Sequence, residues 1–187
     1  MGYAIARRCA ECGARVELIS GPTHLSISHP LINLTRVESA QEMYRHATEK
    51  FPACDAAILS AAVADFTPDS KADSKIKREK GEQTLILKPT HDIAAALGRM
   101  KTASQKLVGF ALETDNEQTN AEHKLEKKNL DFIVLNSLRD KGAGFNYDTN
   151  KVCIISRSGQ VKEFPLKPKT EVAVDIVTEL QHLWQAD

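Results

Sequence analysis

Several familiar catalytic signatures are missing from these 187 residues. No Gly-x-Ser-x-Gly elbow, Walker A run, His-Glu-x-x-His pair or kinase motif occurs, which argues against elbow hydrolases, P-loop enzymes and zincins. Gly-x-Gly-x-x-Gly is missing too, because Gly142-Ala143-Gly144 precedes no helical pattern. No stretch approaches the ~20 apolar residues of a membrane span, and there is no signal-peptide pattern. Charge of one sign is also lacking: 25 Lys plus Arg balance 25 Asp plus Glu. A general polyanion-binding surface is therefore not expected, and any basic patch must be local. Four cysteines, Cys9, Cys12, Cys54 and Cys153, make no disulfide framework at this length. Cys9-Ala-Glu-Cys12 has the spacing of a metal or redox pair, but no second such pair or His pair follows. Reduced, partly buried thiols of a cytosolic protein are the expectation. His24 and His29 have no acidic neighbour, which argues against a metal there.

What is present is a globular composition, 42% apolar and 27% charged, read as one domain over residues 1–187. Met1–Cys12 has a helical face of Met1, Ile5 and Cys9 and stops at Gly13. Ala14–Ser20 alternates as a strand, and Pro22–Asn33 reads as a loop. A helix, a glycine and a strand form the second half of a βαβ unit. The first strand and its phosphate-holding loop are not in view, so the folded domain is expected to begin before Met1. Leu34–Val37 is a short strand. Ser39 and Glu42 form a capping box for a helix reaching about Phe51. Strands follow at Ala56–Ala61, Leu85–Leu87, Lys106–Leu112 and Leu130–Leu135. Helices follow from Thr90 or Asp92 to about Met100, and over about Glu117–Lys128. After the loop-like Ser137–Asn150, Val152–Ser156 and Val161–Phe164 form a hairpin about Ser158-Gly159. Lys169–Trp184 closes the chain as a helix with Val172, Ile176, Leu180 and Leu183 on one side. The alternation predicts a Rossmann-like, three-layer, doubly wound α/β fold, mostly parallel, with an appended antiparallel hairpin.

The stretch Ala56–Lys77 carries the most chemistry. Its apolar start suits a strand covered on both faces, and Asp65 follows at the carboxyl end, where open α/β sheets bind ligands. A loop then leads to Lys75-Ile76-Lys77-Arg78, with Lys71 and Lys80 nearby. An acid followed by clustered cations fits a phosphorylated, metal-bearing ligand; a solvated loop is the plainer alternative. Lys124 and Lys128 lie four apart on one helical face and can grip a phosphate chain, or can pair with Glu122 and Glu126. His91 stands at a helix start, as a ligand contact or as a loop residue. Phe110 packs in the core or lies against a base, and Gly109 permits close backbone approach. Residue by residue, the pattern supports a phosphate-ligand site of Asp65, Lys75, Lys124 and Lys128, without naming a reaction.

Six motifs in register extend that reading: Ala61-Ala-Val-Ala-Asp65-Phe, Lys75-Ile-Lys77, Asp92-Ile93, Gly109-Phe-Ala111, Glu113-Thr114 and Lys128-Asn-Leu-Asp131. Together with Gly21-Pro-Thr23 and Gly144-Phe-Asn146, followed by Asp148 and Asn150, they resemble the phosphopantothenoylcysteine synthetases. These are the ligase half of the bifunctional bacterial coenzyme A biosynthesis flavoprotein. The resemblance implies a CTP-dependent, carbon–nitrogen bond-forming ligase that joins 4′-phosphopantothenate to cysteine through an acyl-cytidylate. It implies Mg²⁺ as cofactor, a homodimer, a cytoplasmic setting, and a flavin-dependent decarboxylase domain in the full-length protein, with no nucleic acid or membrane partner. By position it makes Lys75 catalytic. Nucleotide binding falls to Ser60, Ala61, Asp65, Lys75, His91, Asp92, Ile93, Ala94, Phe110, Lys124 and Lys128. The family begins with a Gly-rich strand–loop carrying an Asn associated with the acyl-cytidylate. A chain lacking it is expected to complete the ligation poorly. Two other readings stay open, a nucleotide-binding oxidoreductase and a non-catalytic binding domain on the same fold.

Overall fold

The structure is a computed structural model that describes residues 1–70, 74, 84–113, 117–137 and 147–185. Helix α1 (Gly2–Glu11) buries Ile5, Ala6 and Ala10 on one side. It ends where expected, at Gly13, whose φ of +88° is the left-handed conformation of a helix stop. Strands β1 (Val16–Ser20) and β2 (Ile32–Arg36) pair in parallel, with Leu18 opposite Leu34. The sequence pattern left Ile32 and Asn33 in the loop. Pairing with Val16 and Glu17 draws both into the strand.

Ser39 caps α2 (Ala40–Lys50) in the expected box: its hydroxyl accepts the Glu42 N–H, and the Glu42 carboxylate accepts the Ser39 N–H. A 3₁₀ turn at Phe51–Ala53 leads to β3 (Ala56–Leu59). The next two elements differ from the sequence reading. Phe66–Pro68, assigned to a loop, is β4, and it pairs antiparallel with β5 (Leu87–Pro89). The partner strand thus starts two residues later than Leu85. Here pairing between two short segments overrides weak local propensity, with the prolines at strand ends, where a missing N–H is tolerated.

Asp92 rather than Thr90 caps α3 (Ile93–Met100), accepting the Ala95 N–H at 3.0 Å. There follow β6 (Lys106–Glu113), α4 (Glu117–Lys127) and β7 (Phe132–Ser137). Then come β8 (Thr149–Asn150), β9 (Val152–Ser156), β10 (Val161–Glu163), β11 (Lys167–Pro168) and α5 (Lys169–Gln185). Strands β8 and β11 form a small antiparallel pair.

The five-stranded sheet has the order β10-β9-β7-β6-β3, with β3, β6 and β7 parallel and the hairpin continuing it antiparallel. Leu107, Val108, Ile133 and Val134 are almost fully buried although they alternate between faces. Both faces must therefore be covered. On one side α1 and α5 pack Ile5, Ile176 and Leu180 against Val108, Phe132 and Val134. On the other, Leu97 of α3 and Leu125 of α4 meet Leu107 and Ile133, with Met43 and Ala47 of α2 at the margin. These are the three layers of the expected doubly wound fold. Strands β1 and β2 form a separate two-stranded sheet, and among the described residues no ladder joins β1 to β3. No helix of the described residues is long and apolar enough to cross a membrane.

Candidate functional site

The chain leaves the carboxyl end of β3 as Ser60-Ala61, two small residues that leave room for a ligand. The following loop is stitched to the entry of α3. Thr90 donates its hydroxyl to the Ala64 carbonyl at 2.7 Å and its N–H to the Asp65 carbonyl at 2.9 Å. That clamp sets the exposed Asp65 beside the α3 N-terminus, where His91 stacks on Tyr44 with ring centroids 4.6 Å apart.

The third wall comes from the end of α4. Lys128 Nζ lies 3.2 Å from Asp92 Oδ2, so the α3 cap also holds a cation. Burial would raise the Asp92 pKa, but hydrogen bonds from Ala95 and Lys128, with the Lys128 charge, bring it below its ordinary 3.8. The backbone behind Lys128 is pinned. Asn129 adopts a φ of +52°, donates Nδ2–H to the Gly98 carbonyl at 2.9 Å and accepts Arg157 at 2.8 Å. A Cβ on Gly98 would overlap the Lys128 carbonyl oxygen, so α3 and the α4–β7 turn approach as closely as they do only because residue 98 has no side chain.

Ten of the eleven sequence candidates line one cavity of about 1830 Å³: Ser60, Ala61, Asp65, His91, Asp92, Ile93, Ala94, Phe110, Lys124 and Lys128. The eleventh, Lys75, lies outside the described residues, as do Lys71, Lys77, Arg78, Lys80, Thr114 and the Gly144-Phe-Asn146 motif. Phe110 is half-buried and packs against the core from the cavity side. At Gly109, where close backbone approach was expected, the near neighbour is instead the Leu130 side chain, 2.6 Å from where a Cβ would sit.

Sequence reasoning missed Tyr44, the Asp92–Lys128 pair and the Gly98–Asn129 contact. Each joins residues far apart in the chain, and none carries a local pattern. Asp131 is part of a matched motif yet does structural work. Its carboxylate takes the buried Lys101 ammonium at 2.8 Å and the Leu107 N–H at 2.6 Å, anchoring the start of β6.

Among the described residues no disulfide joins Cys9, Cys12, Cys54 or Cys153, and burial first, then the neighbouring Cys12, pushes the Cys9 pKa up to about 11. Among the described residues no cluster of three His, Cys, Asp or Glu could hold a metal ion. Mg²⁺ does not require one, since a single carboxylate suffices when a ligand's phosphates supply the remaining oxygens. The exposed Asp65 at the cavity mouth fits that role.

A family model described as the DNA/pantothenate metabolism flavoprotein C-terminal domain matches residues 1–183. The chain belongs to that family. A relative named coenzyme A biosynthesis bifunctional protein CoaBC, from Bacillus subtilis (strain 168), is 44% identical over 183 residues, 98% of this chain and 45% of that protein. Another, named cysteine/cysteine sulfinic acid decarboxylase and of unknown prokaryotic origin, is 54% identical over 180 residues, 96% of this chain and 50% of that protein. The chain thus spans about half the length of the curated relatives it matches. A crystal structure of the CoaBC C-terminal domain is 37% identical with a TM-score of 0.82, covering 100% of this chain and 84% of that one.

Proposed function

We propose that this chain is a phosphopantothenate–cysteine ligase domain acting in coenzyme A biosynthesis, with CTP as the activating nucleotide. The carboxylate oxygen of 4′-phosphopantothenate forms a bond to the α-phosphorus of CTP, and the bond to pyrophosphate breaks. The cysteine nitrogen then attacks the acyl carbon of the cytidylate. The carbon–oxygen bond to CMP breaks, the amine loses a proton, and the amide remains.

The observation that carries this reading is the convergence of Asp65, the α3 N-terminus, Lys124 and Lys128 on one cavity in a chain of this family. Two polyanions have to meet there. Lys124 and Lys128 supply positive charge for the phosphates, and N–H groups at the start of α3 add to it. Ser60 and Ala61 leave space for the base, and Phe110 offers it an aromatic surface. Mg²⁺, held by Asp65 and the phosphates, would further offset the charge that builds on the reacting phosphate. Lys75 would act as the catalytic cation, with a cytoplasmic homodimer as the working form.

The test is pyrophosphate release from CTP in the presence of 4′-phosphopantothenate, followed by amide formation on adding cysteine. Release that falls at least about tenfold in Lys75→Gln, with folding intact, supports the ligase. No release from the wild type under any nucleotide sinks it. Nicotinamide binding would point instead to an oxidoreductase, and nucleotide binding without turnover to a binding domain. The relative named as a decarboxylase supplies one more arm: carbon dioxide release from cysteine alone, with no nucleotide consumed, would favour that chemistry.

A further inference from the structure

The Cys9-Ala-Glu-Cys12 pair plays no part in the proposed ligation, yet α1 ends in a way that brings its two thiols together. We propose that Cys9 and Cys12 form a thiol–disulfide exchange site, at which a low-molecular-weight disulfide is reduced and the two cysteines close into a reversible bond. The helix end gives the first argument. Cys9 lies in the last turn of α1, and Cys12 is its C-cap. Three residues apart on a helix, their Cα atoms are about 5 Å from each other, inside the range of roughly 4.4–6.8 Å that a disulfide spans. In a regular α-helix the Cβ atoms would stay about 5–6 Å apart, too far for a bond without movement. Here the turn is already tightening. The Cys12 N–H donates to the Cys9 carbonyl as well as to that of Arg8, both at 3.1 Å. The bond to Cys9 belongs to a 3₁₀ turn, in which side chains three residues apart eclipse. Gly13 and Ala14, next in the chain, are exposed, so the turn can close further without pressing on the core.

Exposure divides the roles of the two thiols. Cys12 is exposed, whereas Cys9 is half-buried and packs against the layer formed by α1 and α5. A disulfide reagent therefore meets Cys12 first, and Cys9 is the resolving thiol. Burial, the first cause of the raised Cys9 pKa, keeps that thiol from competing for the reagent. The sheet isolates the pair from the other two cysteines. Cys9 packs with the cluster on one face, and Cys54 and Cys153 with the cluster on the other. The Cys54 thiol is also engaged, donating to the Lys50 carbonyl at 3.3 Å. Neither is placed to resolve an adduct on Cys12.

With glutathione disulfide as the reagent, the Cys12 thiolate attacks one sulfur, the reagent's S–S bond breaks and one glutathione thiolate leaves. The Cys9 thiolate then attacks the Cys12 sulfur and expels the second. The protein sulfurs give up two electrons, which reduce the reagent, and the two thiol protons pass to the two glutathione thiolates. Excess reduced glutathione drives both steps backward. In a reducing compartment the dithiol is thus the resting form and the disulfide is transient.

The probe is glutathione disulfide added to the intact chain, read by whole-protein mass and by peptide mapping after free thiols are blocked. The wild type should lose two hydrogens, retain no glutathione, and map the new bond to Cys9 and Cys12. Cys9→Ala should instead hold one glutathione on Cys12, which the wild type does not keep. Cys12→Ser should lose both products in this segment. A Cys54→Ser, Cys153→Ser double variant keeps the pair intact and should close as the wild type does, whether or not the other variants fold. A glutathione adduct that persists on Cys12 of the wild type overturns the proposal. So does a disulfide joining two chains through Cys12, or a pair left unmodified by the reagent.

Discussion

The cleft flanked by β1 and β3 and the mouth at the carboxyl end of β3 line the same cavity, yet they rest on different physics. The cleft is bounded by the apolar side chains of Ile5, Met43, Val177 and Leu180, so packing governs its shape. At the mouth, Asp65, Asp92, Lys124 and Lys128 gather on loop and helix ends, so charge governs it. The comparison shows how one doubly wound fold separates stability from recognition. Packing is concentrated between the layers, and ionic groups lie where the strands stop.

Substitutions that strike one region and spare the other sharpen this contrast. The largest loss of stability is expected from Asp131→Ala, because it strands the Lys101 ammonium, which is only 7% exposed. Removing one partner of a buried pair costs about 3–5 kcal/mol. Chemical denaturation should show it without a specific change in the mouth. Ile176→Ala, in the layer beside the cleft, should cost about 2–5 kcal/mol by the same measurement. Gly98→Ala breaks the separation between the two regions. The added methyl must push away the Lys128 carbonyl, costing about 1–3 kcal/mol and weakening nucleotide binding in the same variant. A Gly98→Ala protein with unchanged nucleotide affinity would show that Lys128 does not depend on this contact.

The smallest effect concerns pH. The folded-state pKa of Asp92 lies below 3.8, so its charged form supports the fold above that value. The contribution is lost as pH falls through the depressed value, and it is constant across the neutral range. Asp92→Asn keeps a capping side chain but loses the charge. It should flatten the acid limb of the stability profile, measured by thermal unfolding between pH 2 and 5, about the range of the titration.

Much of the fold was legible because its signals are local. The Ser39–Glu42 box, the Gly13 stop, the apolar runs at Leu107 and Phe132 and the turn at Gly159 are each short patterns with a direct structural meaning. The β4–β5 ribbon was only partly legible: a strand was read at Leu85–Leu87, two residues before the observed β5, while β4 was read as loop. Phe66-Thr67-Pro68 becomes a strand by pairing with Leu87-Lys88-Pro89, and that pairing sets the register of both. The same division holds at the mouth. Asp65 and the Lys124/Lys128 spacing stand out in the sequence, whereas the Tyr44–His91 stack and the Thr90 clamp join segments dozens of residues apart.

The central claim is that the mouth binds a nucleotide triphosphate through its lysines. Calorimetric titration of CTP with Mg²⁺ into the wild type and Lys128→Gln tests it most directly. The account predicts that the substitution weakens binding by about tenfold or more while the unfolding midpoint stays close to that of the wild type. Equal affinity in the two proteins would contradict it.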